Sequence, residues 1–184
     1  MGVGFFCERI VAFIHQKVTG PEKTRMWLTP LFAIFFFCLI LFVIGASFFM
    51  DRFWGFPEFI PKGCGRVVSL PFFLIGGSLW GWSVWKFLRT NGTPVPVNPP
   101  PKLVTDGPYA YSRNPMLTGV FLMLAGIGIL YGSIFLTFIA TPVFVFVGIL
   151  EFKYIEEPEL ERRFGKAYTD YRARTPMIIP RFRR

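Results

Sequence analysis

The sequence is poor in the residues that build metal centres and nucleophilic catalytic sites. His15 is its only histidine, which excludes a histidine-rich metal site and any serine–histidine–aspartate arrangement that needs a second one. The three cysteines, Cys7, Cys38 and Cys64, lie far apart, without the paired spacing of a zinc site or a disulfide framework. We therefore expect no bound metal and interpret the cysteines as unreactive thiols.

Charged residues are also scarce. They make up 17% of the 184 residues, whereas hydrophobic residues make up 53% and phenylalanine occurs 24 times. With a mean hydropathy of +0.48, the chain has more apolar surface than a soluble core of this size can bury. The net charge of +9 arises from basic residues beside apolar segments and at the chain end. This pattern favours anionic lipid headgroups over nucleic acid as the partner.

Uncharged runs predict an all-α membrane protein with about four transmembrane helices in one membrane-embedded domain, residues 1–184. The run from Asn114 to Leu150 would be about 55 Å long as one helix, far more than a hydrocarbon core of roughly 30 Å requires. Tyr131-Gly132-Ser133 is therefore predicted to turn the chain back as a tight helical hairpin. The four predicted spans are residues 27–50, 67–85, 115–131 and 134–151.

The remaining segments are predicted to share the cytosolic face. Residues 1–26 carry Phe6, Ile10, Phe13, Ile14 and Val18 at the spacing of one helical face, which favours an interfacial helix. Five prolines in Thr93–Pro101 exclude a helix and predict an extended connector. Residues 152–184 form a charged tail. Lys and Arg number four in the amino-terminal segment, four between the second and third spans and nine in the tail, against three in the first loop and none in the hairpin turn, which predicts cytosolic termini. The membrane would be the inner membrane of a bacterium or the endoplasmic reticulum of a eukaryote.

The stretch from Lys102 to Gly119, KLVTDGPYAYSRNPMLTG, is a turn-rich segment at the mouth of the third span. Such loops commonly bind ligands. The predicted hairpin places Tyr109, Arg113 and Asn114 level with Glu156 and Glu157. A carboxylate pair at a membrane mouth requires a cationic partner, such as a ligand amine, unless the two glutamates simply begin a solvated helix.

Small residues interrupt the second span at Gly76, Gly77, Ser78 and Gly81. In a membrane helix, small residues let another backbone approach closely. A ligand lying against the bare backbone is the alternative.

The run LVTDGPYAYSRNPMLTG, followed by an apolar hairpin and EEPELERRFGKAYTDY, carries a family resemblance. It resembles the carboxy-terminal half of the integral-membrane methyltransferases that use S-adenosylmethionine, which include isoprenylcysteine carboxyl methyltransferases and phospholipid methyltransferases. The resemblance covers roughly residues 93 to 180 and implies S-adenosyl-L-methionine as the cofactor. Residues 90–114 would then be a cofactor-binding connector.

The resemblance also implies a set of site residues. Glu157 falls on the acidic residue that meets the amino group of the cofactor, and Gly77 to Gly81 resembles a Gly-x-x-x-Gly stretch used for the cofactor. Arg113, Asn114 and Glu156 are the candidate catalytic residues. The implied cofactor-binding residues are Lys102, Leu103, Val104, Tyr109, Asn114, Pro115, Met116, Leu117, Glu156, Glu157 and Gly77.

Two positions depart from the prenylcysteine enzymes. Asn114 replaces their histidine, and Phe152 stands where they carry an arginine implicated in acceptor binding. The phospholipid enzymes instead read Asn-Pro-Met and Glu-Glu-Pro, which match Asn114-Pro115-Met116 and Glu156-Glu157-Pro158 in this chain. The expected acceptor is therefore a lipid headgroup or another small lipophilic molecule.

Methyl transfer needs in-line alignment and exclusion of water rather than a metal. Tyr109 and Tyr111 can stabilise a sulfonium by cation–π contact, or can instead anchor the chain at the membrane interface. Two other functions remain open: an NADPH-dependent enzyme like the sterol reductases, which resemble the same Gly-Pro-Tyr region, and a non-catalytic scaffold of the same fold.

Overall fold

The computed structural model describes residues 2–178 and contains no strand within that range. Its helices are α1 (Gly2–Val18), α2 (Glu22–Trp54), α3 (Lys62–Arg89), α4 (Pro115–Tyr131), α5 (Thr141–Glu151), α6 (Glu157–Phe164) and α7 (Lys166–Arg174). Two π-helical turns, Phe135–Ala140 and Phe152–Glu156, precede and follow α5. The predicted all-α fold is confirmed over the described residues, whereas the tail beyond residue 178 lies outside them.

Three helical stretches among the described residues are long and apolar enough to cross a membrane. They are Lys23–Trp54, Lys62–Arg89 and Leu136–Phe164, and Pro115–Tyr131 is a shorter apolar helix. The protein is thus an integral membrane protein, and the count of four spans stays a prediction. The helical path continues beyond residue 151, through the second π turn into α6, and the boundaries of the four spans stay predictions.

The chain divides into two compact units, each assembled from separate stretches. The first comprises residues 1–34, 82–114 and 148–184, and the second comprises residues 35–81 and 115–147. The amino-terminal helix, the connector and the tail, which were predicted to share one membrane face, therefore all belong to the first unit. The cytosolic orientation of the termini stays a prediction.

In the second unit, α3 and α4 approach through glycine. A Cβ built on Gly76 would lie 2.8 Å from the carbonyl oxygen of Gly119, and one on Gly119 would lie 2.6 Å from the carbonyl oxygen of Gly76. Any side chain at either position would force the two helices apart. The close approach predicted for Gly76, Gly77, Ser78 and Gly81 thus occurs at Gly76, since a Cβ on Gly77 or Gly81 meets no atom within 4 Å.

The predicted turn at residues 131–133 is confirmed. Gly132 has φ +64°, a conformation that favours glycine, and the Ser133 N–H donates to the carbonyl of Gly128 at 2.8 Å. Asp51, near the end of α2, accepts hydrogen bonds from the Ser133 hydroxyl and from the Phe135 N–H, the latter at 2.9 Å. This carboxylate therefore caps the first turn of the returning helix.

The proline-rich connector differs from its prediction. No helix forms at residues 93–101, as expected, but the backbone is not extended. The Thr93 N–H donates to the Asn98 carbonyl at 2.8 Å, and the Asn98 N–H donates to the Val95 carbonyl at 3.0 Å. The connector thus folds into a closed turn, in which Val95 and Val97 are buried.

The amino-terminal helix α1 packs against α6 and the second π turn. Val11 and Val18 are its buried side chains, whereas Phe13 is exposed. Only part of the predicted apolar face is thus buried within the protein. The side chain of Phe6 lies outside the described residues. The predicted segment 1–26 contains a break, because α1 ends at Val18 and α2 begins at Glu22.

Candidate functional site

The loop that ends α3 and leads to α4 is fastened to α3 at Tyr109. A short 3₁₀ turn, Gly107–Ala110, starts at a glycine with φ +62°. The Tyr109 ring stacks on Phe87, with ring centres 5.0 Å apart and planes 10° from parallel. Because Tyr109 is buried, its interpretation as an interface anchor is wrong, whereas Tyr111 is 43% exposed.

The tail crosses the same loop and is tied to it by hydrogen bonds. The Arg113 and Asn114 N–H groups donate to the carbonyls of Pro176 and Met177 at 2.9 and 3.0 Å. The Ser112 hydroxyl also donates to the Met177 carbonyl, at 2.8 Å. We call residues 175–177 the strap, since they hold the backbone of residues 112–114 in one position.

A buried ion pair lies beneath this loop. The Arg113 guanidinium donates to the Glu157 carboxylate, and the two side chains are only 10% and 8% exposed. Glu157 is therefore not part of a solvated helix start, and its cationic partner is a residue of the protein itself. Arg113 Nε is buried and has no hydrogen-bond partner among the described residues. The Arg113 side chain also interacts with the Tyr168 side chain, and this interaction lowers the pKa of Tyr168 against the larger effect of burial.

Two tyrosines of α7 surround the ion pair and the loop. The Tyr171 hydroxyl donates to the Tyr109 carbonyl at 2.7 Å, and Tyr168 is fully buried. Burial raises the pKa of both Tyr168 and Tyr171 above the ordinary value of a tyrosine, and the charge of Glu157 raises that of Tyr168 further. Burial is also the main cause of the raised pKa of Tyr109, followed by the charge of Glu156. All three phenols stay neutral at physiological pH.

Glu156 occupies the end of the second π turn in an acidic environment. Glu151, Glu159 and Glu157 contribute negative potential at its carboxylate, and Arg163 contributes positive potential. Glu151 and Glu156 flank a turn whose hydrogen bonds join residues five apart, which brings both carboxylates toward one face. Glu159 is buried 3.5 Å from both His15 and Arg163. The potential around Glu156 favours a cationic group.

The structure places the predicted site residues in both units. In the first unit, Lys102 is exposed, Leu103 and Asn114 are half-buried, and Val104 is buried. Tyr109, Arg113, Glu156 and Glu157 belong to this unit as well. Residues of the second unit are Gly77 and the first turn of α4, where Pro115 is buried and Met116 and Leu117 are half-buried.

Sequence reasoning missed Ser112, Tyr168, Tyr171 and the strap. The tyrosines had a recognisable signal, since an aromatic pair three residues apart in a charged tail marks one apolar helix face. The strap had no sequence signal, because its contacts with the loop are made by backbone carbonyls. Over the part of the chain that the structure describes, no group of three or more His, Cys, Asp or Glu side chains could hold a metal.

These features define a helical membrane protein with a strapped polar loop over a buried ion pair. Residues 65–167, more than half of the chain, match the phospholipid methyltransferase family, and the chain belongs to this family. It is also similar to the protein-S-isoprenylcysteine O-methyltransferase of Schizosaccharomyces pombe, with 38% identity over 81 residues. The matched region covers 42% of this chain and only 33% of the length of that relative.

Proposed function

We propose that the protein transfers a methyl group from S-adenosylmethionine to a lipid headgroup or another small lipophilic acceptor. The observation that carries this proposal is the buried Arg113–Glu157 pair beneath the strapped loop. Membership of the phospholipid methyltransferase family supports the reaction class. The proposed arrangement has four spans with both termini in the cytosol.

The ion pair fits the amino-acid end of S-adenosylmethionine, which carries an ammonium and a carboxylate. Glu157 would accept hydrogen bonds from the ammonium, and the Arg113 guanidinium would donate to the carboxylate. An ion pair already buried in the protein supplies both charges, so no isolated charge is left when the ligand is absent. The cofactor, when bound, supplies an electrophilic methyl group on a sulfonium.

The other residues of the proposed site would orient the cofactor and exclude water. The Tyr109 ring, which stacks on Phe87, would make the cation–π contact with the sulfonium. Lys102, Leu103 and Val104 would hold the rest of the cofactor. We assign the same role to Asn114, Gly77 and the first turn of α4, namely Pro115, Met116 and Leu117.

Glu156 would serve the acceptor. An amine that gains a methyl group must lose a proton, and a carboxylate in an acidic environment both attracts the protonated amine and can accept that proton. Phe152, where prenylcysteine enzymes carry an arginine, is 2% exposed and fills the first-unit core. A buried phenylalanine offers no charge to a prenylcysteine carboxylate, which favours a lipid headgroup as the acceptor.

The direct test is transfer of labelled methyl from S-adenosylmethionine into a total lipid extract by the purified full chain. We expect label in a lipid species, and loss of labelling in Glu157→Gln but not in the matched surface variant Glu161→Gln. If the protein binds NADPH and not S-adenosylmethionine, the sterol-reductase alternative is correct. If it binds neither, the scaffold alternative is correct.

A further inference from the structure

Two adjoining cavities lie in the second unit, where α2 ends and α3 begins. Their volumes are about 480 and 420 Å³, and both are lined by Glu58 and Tyr131. Arg52 lines the larger cavity, and Lys62 and Arg66 line the smaller one. We call this pair of cavities the Arg52–Arg66 cleft. None of its lining residues belongs to the proposed methyl-transfer site.

The walls of the cleft are held in place by the hairpin turn. The Phe59 N–H donates to the Gly132 carbonyl at 3.2 Å, which fastens the loop between α2 and α3 to the turn. Tyr131 packs edge-on against Phe48, with ring centres 5.4 Å apart. The cleft is therefore preformed by backbone and aromatic contacts rather than assembled from free side chains.

The charges of the cleft do not cancel. Asp51 is engaged by the Ser133 hydroxyl and the Phe135 N–H, and Glu58 pairs with Lys62 at 3.3 Å. Arg52 and Arg66 have no ion-pair partner within residues 2–178. The cleft thus carries three basic side chains, Arg52, Lys62 and Arg66, against two carboxylates, Asp51 and Glu58, and its two guanidinium groups form no ion pair with the described residues.

We propose that the Arg52–Arg66 cleft binds the phosphodiester headgroup of an anionic phospholipid. Guanidinium groups bind phosphate oxygens through paired hydrogen bonds. The cleft lies where the candidate spans Lys23–Trp54 and Lys62–Arg89 end and begin, which is the depth of lipid headgroups. Tyr131 is 60% exposed and Trp54 is 54% exposed, so aromatic side chains typical of the membrane interface border the charges.

The test is a titration of the purified full chain in detergent with phosphatidylglycerol, followed by native mass spectrometry. We expect Arg52→Gln combined with Arg66→Gln to lower the apparent affinity roughly tenfold or more, because each basic residue near an anionic lipid contributes appreciably. The matched control, Arg89→Gln combined with Arg162→Gln, removes two other exposed arginines that form no ion pair with the residues the structure describes. It should change the affinity less than about twofold.

Three further arms make the outcome decisive. Arg66→Lys keeps the positive charge but loses the planar guanidinium that can donate two parallel hydrogen bonds. It should therefore lower the affinity for the lipid, but by less than Arg66→Gln does. Millimolar inorganic phosphate should not displace the lipid. Unchanged thermal midpoints should show that all variants are folded. Equal losses in the double variant and its control, or displacement by free phosphate, would overturn the proposal.

Discussion

The two compact units hold their elements together by different means. In the first unit, the connector, the strap and α7 are joined by hydrogen bonds and a buried ion pair between residues 44 to 65 positions apart. In the second unit, α3 and α4 meet backbone to backbone at Gly76 and Gly119. Polar contacts that can also serve a ligand are thus concentrated in the first unit, whereas the second relies on close packing. The comparison predicts opposite sensitivities to substitution.

The largest effect is expected from Glu157→Ala. Removal of this carboxylate leaves Arg113 buried without its counter-ion, which costs about 3–5 kcal/mol. Glu161→Ala breaks the partly exposed pair with Arg172 and should cost less than about 1 kcal/mol. Both are measured as the free energy of unfolding in detergent. Equal losses would mean that the Arg113–Glu157 pair is no more important than a surface pair.

Gly119→Ala is expected to have the next largest effect. Its Cβ would lie 2.6 Å from the carbonyl oxygen of Gly76, so α3 and α4 must separate, at a cost of about 1–3 kcal/mol. Gly77→Ala is the matched control, because a Cβ there meets no atom within 4 Å. Thermal unfolding compares the two. If the Gly119→Ala protein is as stable as the Gly77→Ala protein, close glycine packing does not hold the second unit together.

Asp51→Ala tests whether the second unit also depends on a polar contact. The substitution removes the acceptor of the Ser133 hydroxyl and the Phe135 N–H, which should cost about 1 kcal/mol, as for other helix caps. Asp170→Ala, an exposed acidic residue of α7, serves as the control in the same unfolding measurement. If Asp51→Ala lowers the free energy of unfolding as much as Glu157→Ala does, the second unit depends on polar contacts as strongly as the first.

Tyr171→Phe should have a small effect on stability, similar to that of Asp51→Ala, and a clear effect on the loop. It removes only the hydroxyl that donates to the Tyr109 carbonyl, at a net cost of about 1 kcal/mol. Hydrogen exchange at residues 109–114 should increase while α3 and α4 remain protected. Tyr154→Phe, at an exposed tyrosine, should leave both regions unchanged. Unaltered exchange in Tyr171→Phe would show that α7 does not hold the loop.

Local sequence signals predicted those parts of the fold that depend on local physics. The uncharged run after Asn114 and its break at Gly132 were enough to place the hairpin turn, since a helix of that length exceeds the bilayer. The start of α4 at Pro115 likewise follows from the preference of proline for the first helical turn. The family resemblance identified the methyltransferase family correctly.

Contacts between distant residues could not be read in the same way. The local sequence around Glu157 is compatible with both a solvated helix start and a buried carboxylate. Only the contact with Arg113, 44 residues earlier, distinguishes the two. The proline connector was predicted from backbone preferences alone, and the hydrogen bonds between Thr93 and Asn98 closed it into a turn. The roles of the individual site residues stay predictions.

The central claim is that the Arg113–Glu157 pair holds the amino-acid end of S-adenosylmethionine. It is tested most directly by equilibrium binding of labelled S-adenosylmethionine to the purified full chain and to Glu157→Gln, with Glu161→Gln as the control. Loss of a charged hydrogen-bonding partner should weaken binding roughly tenfold or more in Glu157→Gln only. Unchanged affinity in a folded Glu157→Gln protein would contradict the assignment.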